Sequence, residues 1–157
     1  MRFFWALTVG LLLGVGPGLA QPSLQARIDA AAPGDTLIVN GGVHAGPFSI
    51  DTPLVLSGTH RPHLRGNDST HVVTINASGV TIQGMRITDS GKRLGEDHAG
   101  IMVKGNRATI RNNHLRDVLH GVYVKGADRA VVVENVIEGP PTVTRRVSPE
   151  EARRHDC

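Results

Sequence analysis

Three positions recur along this chain at a spacing of i, i+3, i+5. Ile82, Met85 and Ile87 return as Ile110, Asn113 and Leu115, and again as Val132, Asn135 and Ile137. A preceding pair keeps step with them: Val73 and Ile75, then Ile101 and Val103, then Val122 and Val124. The two intervals are 28 residues (82 to 110) and 22 residues (110 to 132). The longer one contains a single insertion, SGKRLGEDH from Ser90 to His98. A corner loop accepts such an insertion at small entropic cost.

A repeat of this length is one supersecondary unit, and it buries its apolar face only by stacking on its neighbours. The apolar alternations that carry it are short: FSI, LVL, VVTI, VTI, MRI, GIMV, ATI, GVYV, VVV and VI, separated by Gly, Asn, Asp and Ser. They read as many brief strands. Hairpins would pair neighbouring strands antiparallel and need no matched repeat. A coil pairs each strand in parallel with its counterpart one turn away, so that like residues lie over like at about 4.8 Å. The expected fold is therefore all-β, a parallel β-helix of about four rungs with Val, Ile and Leu in inward columns. Asn113 and Asn135 should stack at one bend as an amide ladder.

The ends read differently. Ser23 is a candidate N-cap for a short helix whose face carries Leu24, Ile28 and Ala31, stopped by Pro33 and Gly34. Such a helix would cover the first turn, where a coil otherwise exposes unpaired backbone. Residues 1–20 have Arg2, an apolar run from Phe3 to Val15, and small residues at Gly18 and Ala20. That layout predicts a secretory signal peptide, since the run is too short for a membrane span. The β-helix domain is expected over residues 21–139. Residues 140–157, PPTVTRRVSPEEARRHDC, read as a polar tail or the start of an interrupted insertion, with no further rung, and the coil as incomplete at that end.

Composition removes several functions. Lys and Arg number 17 against 14 Asp and Glu, scattered and with only 3% aromatic residues, which argues against nucleic-acid binding. The one cysteine, Cys157, excludes a disulfide framework and offers no placed nucleophile. No phosphate-cradling glycine motif is present.

Eight His residues direct attention to metal chemistry. Aligned on the strand starts, His71 and His120 occupy the same column as Ala99, and His98 lies one position earlier in the middle rung. These imidazoles would gather at one corner, where a pair is suited to copper or zinc. Met102, in the outward column of Thr74 and Tyr123, is a candidate thioether ligand, and Met85 a filler of the bend. His60 and His63 flank Pro62 in SGTHRPHLRGNDST, which reads as a loop, as does NGGVHAGPF. Asp89 and Asp117 follow equivalent strands and should stack on successive turns, an arrangement suited to acid–base chemistry on a sugar. Lys92, Arg93 and Arg116 are close enough in sequence to pair with them instead.

The succession LQARIDAAAPGDTLIVNGGVHAGPFSIDTPLVLSG, GVTIQGMRITDSG, DHAGIMV, ATIRNNHL and LHGVYVKGADRAVVVENVIEG resembles the NosD family. The Gly-hydrophobic-Tyr-hydrophobic turn from Gly121 to Val124 and Ala-Gly-Ile from Ala99 to Ile101 carry much of the likeness. The resemblance implies a right-handed parallel β-helix in the periplasm. It also implies a role in copper delivery or maturation of nitrous oxide reductase beside an ABC-type transporter, as a scaffold more than a catalyst. No ligand residue carries over from it. Polysaccharide lyases, hydrolases and epimerases share the general rung, as do structural surface proteins, so a carbohydrate-active protein using Asp89 and Asp117 and a purely structural one are the alternatives.

Overall fold

The computed structural model describes residues 21–139, so the expected signal peptide and the tail from 140 to 157 lie outside the described residues. The strands, numbered in chain order, form three parallel sheets. The first contains β1 (Thr36–Val39), β4 (Val55–Gly58), β7 (Thr81–Gln83), β10 (Thr109–Arg111) and β13 (Val131–Val133). The second contains β2 (Val43–Ala45), β5 (His63–Arg65), β8 (Arg86–Thr88), β11 (His114–Arg116) and β14 (Val136–Glu138). The third contains β3 (Phe48–Ile50), β6 (Val73–Ile75), β9 (Ala99–Val103) and β12 (His120–Val124). Every third strand pairs, so the chain winds through four full turns and begins a fifth.

The columns follow the repeat. Ile82 pairs with Ile110, and Ile110 with Val132. Ile87 pairs with Leu115, and Leu115 with Ile137. Val73 and Ile75 pair with Ile101 and Val103. Leu56, Ile82, Ile110, Leu64, Ile87 and Leu115 are fully buried. Burying each such side chain stabilises the coil by about 1.5–3 kcal/mol. In the last described turn the inward residues Val132 and Ile137 are 41% and 50% exposed.

Two strands differ from the sequence expectation. NGGVHAGPF and SGTHRPHLRGNDST are not wholly loop; they contain β2 and β5. Each has at most one apolar inward residue. In β5 this is Leu64, between His63 and Arg65, and in β2 the inward position is taken by His44, which pairs with Leu64.

The bend between the first and second sheets is held by the expected amide ladder. Asn113 Nδ2 donates to Ile82 O at 3.0 Å, and its Oδ1 accepts from the Met85 amide at 3.0 Å. Asn135 repeats this one turn on, donating to Ile110 O at 2.8 Å and accepting from the Asn113 amide at 3.0 Å. Met85 fills the bend with no exposed surface. At another corner, a Cβ on Gly105 would collide with the Ala77 carbonyl, so backbone approach there excludes any side chain.

The first turn is covered by α1 (Leu24–Asp29), capped by Ser23, whose hydroxyl accepts from the Ala26 amide at 3.2 Å. Leu24 and Ile28 are buried against the core. Gln25 reaches the edge of β3, donating to Ser49 O and accepting from Ser49 N, each at 3.0 Å. Its amide stands where a further strand would pair. The Ser90 to His98 insertion lies between β8 and β9 and includes a 3-10 turn, Leu94–Glu96. Among the described residues no helix is long and apolar enough to cross a membrane.

Candidate functional site

Two places bring together the side chains that the sequence singles out. The first is the corner before the third sheet. His71 and His98 meet edge to face with ring centroids 5.8 Å apart. The Ala99 amide donates to His71 Nδ1 at 3.1 Å, so this nitrogen carries the lone pair and Nε2 the proton. Burial, and then the neighbouring His98, hold the His71 pKa below the usual imidazole value; Lys104 and Lys125 add to this and Asp97 opposes it.

His98 is only 4% exposed. Its Nε2 lies 2.9 Å from Glu96 Oε2. Its Nδ1 is buried without a partner among the described residues, closed off by Gly91, where any Cβ would strike it. His120 joins the corner through its backbone, with its amide donating to His98 O at 3.2 Å. Its ring packs against Tyr123, centroids 5.6 Å apart. Met102 sits between Thr74 and Tyr123 as its register requires, but its side chain is 2% exposed and presents no surface ligand.

As folded, this corner does not fit a three-imidazole centre for copper. His98 has one nitrogen on Glu96 and the other shut in, and among the described residues no three His, Cys, Asp or Glu side chains are arranged to hold a metal ion.

The second place is a cleft of about 290 Å³ on the outer face of the second sheet. Asp89 and Asp117 both line it, on adjacent turns as expected. Both adopt left-handed corner conformations, with φ of 64° and 52°. Neither carboxylate stands free: Arg65 Nε lies 3.1 Å from Asp89 Oδ2, and Lys92 Nζ 3.3 Å from Asp117 Oδ1. A paired carboxylate on an exposed face is a modest electrostatic anchor.

The same cleft holds a relay that the sequence reading overlooked. Thr88 Oγ1 donates to Asp89 Oδ2 at 2.8 Å, and His63 Nε2 lies 2.7 Å from Thr88 Oγ1. Thr88 has one hydroxyl proton, and Asp89 takes it, so His63 Nε2 must be the donor in the second bond. The proton of His63 is thereby fixed on Nε2 and the lone pair on Nδ1. Burial, then Arg86, lower the His63 pKa, with Arg65 adding and Asp89 opposing. His60, by contrast, lies at a left-handed turn position, φ 59°, so the expected His60–His63 loop pair is a turn residue beside a strand residue. No sequence signal marks the relay, because SGTHRPHLRGNDST reads as a loop; the observed register sets His63 beside Arg86 and Arg65 beside Thr88.

A family model described as a right-handed β-helix region matches residues 60–145, more than half of the chain. No curated protein matches the chain, and no solved structure does.

Proposed function

Because this chain belongs to the right-handed β-helix family, we propose that it serves as an exported scaffold of the NosD kind, assisting copper delivery to nitrous oxide reductase beside an ABC-type transporter. The observation that carries this is the placement of the NosD-like motifs. Ala99 to Ile101 and Gly121 to Val124 fall on β9 and β12, paired strands of one sheet, directly beside the His71–His98 contact. A stack of short rungs gives a rigid surface on which partner proteins can be held in register. The two aspartates that would serve a carbohydrate enzyme are each engaged by a cation, which favours the scaffold over the catalyst.

In this role residues 1–20 direct the chain to the periplasm, and the mature chain has no need of membrane insertion. The copper-handling part comes from the resemblance; the imidazole corner would have to release His71 Nδ1 from the Ala99 amide and His98 Nε2 from Glu96 before either ring offered a lone pair to a metal.

Copper titration of the purified chain, beside a variant in which His71, His98 and His120 are all replaced by Gln, tests the metal part. The expected result is one copper per chain that the variant fails to retain. Equal uptake by both proteins, or none by either, removes the corner as a copper site.

A further inference from the structure

We propose that the last described turn is a docking surface for a second copy of this chain, joined end to end about a two-fold axis through Val132. Among the described residues, β12, β13 and β14 are edge strands, each with a neighbour on one side only. Val124, Val131, Val132, Val133, Val136 and Ile137 are between 41% and 53% exposed. An apolar layer rimmed by unpaired backbone is a template for another strand.

The backbone sets where the axis falls. Val131 N–H donates to Ala108 O, and Val133 O accepts from the Asn112 amide, so both residues turn polar groups toward β10. The N–H and C=O of Val132, between them, point out of the coil. A two-fold axis normal to the first sheet at Val132 lays β13 antiparallel on its own mate. The two Val132 residues then exchange both N–H···O bonds as a hydrogen-bonded pair. The same axis lays β12 across from β14 of the second copy. Val132 ends the inward column of Leu56, Ile82 and Ile110, and its mate would cover it.

Charge agrees with this pairing. Arg129 and Glu134 occupy the corners on either side of β13, with φ of 55° and 54°, and the axis brings each to the other's corner on the second copy. Both are exposed, and neither is in an ion pair among the described residues. Lys125 and Asp128 share the corner of Arg129 and offset each other. Opposite charges that meet only in this arrangement select it over others. The other end of the coil does not compete. Gln25 occupies the Ser49 edge, and Arg27 Nη2 donates to Ile38 O at 2.8 Å. With that end covered, the association closes at two copies and does not grow into a filament. The pairing requires no metal, so it stands apart from any copper role.

Sedimentation equilibrium of the full chain tests the assignment, and a monomer–dimer equilibrium is expected. Glu134→Arg, an exposed change that leaves the core intact, should raise the dimer dissociation constant tenfold or more. Arg129→Glu should do the same, and the two changes together should recover most of the loss. In a Cys157→Ser background, Val132→Cys sets two thiols across the axis with Cα atoms about 5.5 Å apart. That lies within the roughly 4.4–6.8 Å a disulfide spans, so oxidation should give a covalent dimer. Ser49→Cys, at the covered end, should give none. A monomer at every concentration overturns the proposal, whatever covers the edge instead. So does a dimer untouched by Glu134→Arg, a Val132→Cys chain that fails to cross-link, or assembly that continues past two copies.

Discussion

Asn113 is 1% exposed and still satisfies every polar atom of its amide, because the rungs above and below supply partners. Remove it and the Met85 N–H and the Ile82 carbonyl lose their partners at a buried bend. Asn113→Ala should therefore destabilise the coil by roughly 2–6 kcal/mol, from about 1–3 kcal/mol for each of the two buried groups left unpaired. Urea unfolding should show a lower midpoint at an unchanged slope; a midpoint within error of the parent would show that the ladder contributes nothing. This ladder was legible in the sequence, since Asn recurs at the same phase as the apolar columns. The His63–Thr88–Asp89 relay was not. It depends on which way one hydroxyl proton points, between residues 25 apart in sequence, and no periodicity records that.

At the scale of elements, legibility tracked the apolar inward position. β7, β10 and β13 announce themselves through Ile82, Ile110 and Val132. β2 and β5 do not, because His44 fills one inward slot and Leu64 is flanked by His and Arg. Gly42 at φ 114° and Pro62 nearby make the segments look like turns. The capping helix was readable from Ser23 and the Leu24–Ile28 face, but the way it covers the edge was not. Gln25 replaces a missing strand with one amide, through its two bonds to Ser49. Gln25→Ala should cost about 1–3 kcal/mol, two net hydrogen bonds at about 0.5–1.5 kcal/mol each. It should also speed hydrogen exchange at the Ser49 amide while leaving amides of β7 and β10 near the global rate. Unchanged protection at Ser49 would mean that burial by Leu24 and Ile28 covers that edge without the amide.

For the whole molecule, the three sheets make one continuous core whose layers repeat, and the two candidate sites occupy different sheets of the same coil. The corner of His71 and His98 exists because the insertion from Ser90 to His98 returns to the column of Ala99. The cleft on the second sheet exists because β5, β8 and β11 bring His63, Arg86 and Arg116 to one outer face, Arg86 beside His63 and Arg116 beside Thr88. Both depend on in-register parallel stacking. Cross-linking in a Cys157→Ser background measures that stacking directly. Thr81 and Thr109 are partners on adjacent turns, and Val131 pairs with Thr109 on the next. Cysteines at 81 and 109 would have Cα atoms about 4.8 Å apart, within the roughly 4.4–6.8 Å that a disulfide spans. Cysteines at 81 and 131 would be about 9.6 Å apart, two strand spacings. The coil predicts rapid oxidation of the Thr81→Cys/Thr109→Cys chain to an intramolecular disulfide, and none in Thr81→Cys/Val131→Cys. A reduced first pair, or equal cross-linking of both, would contradict it.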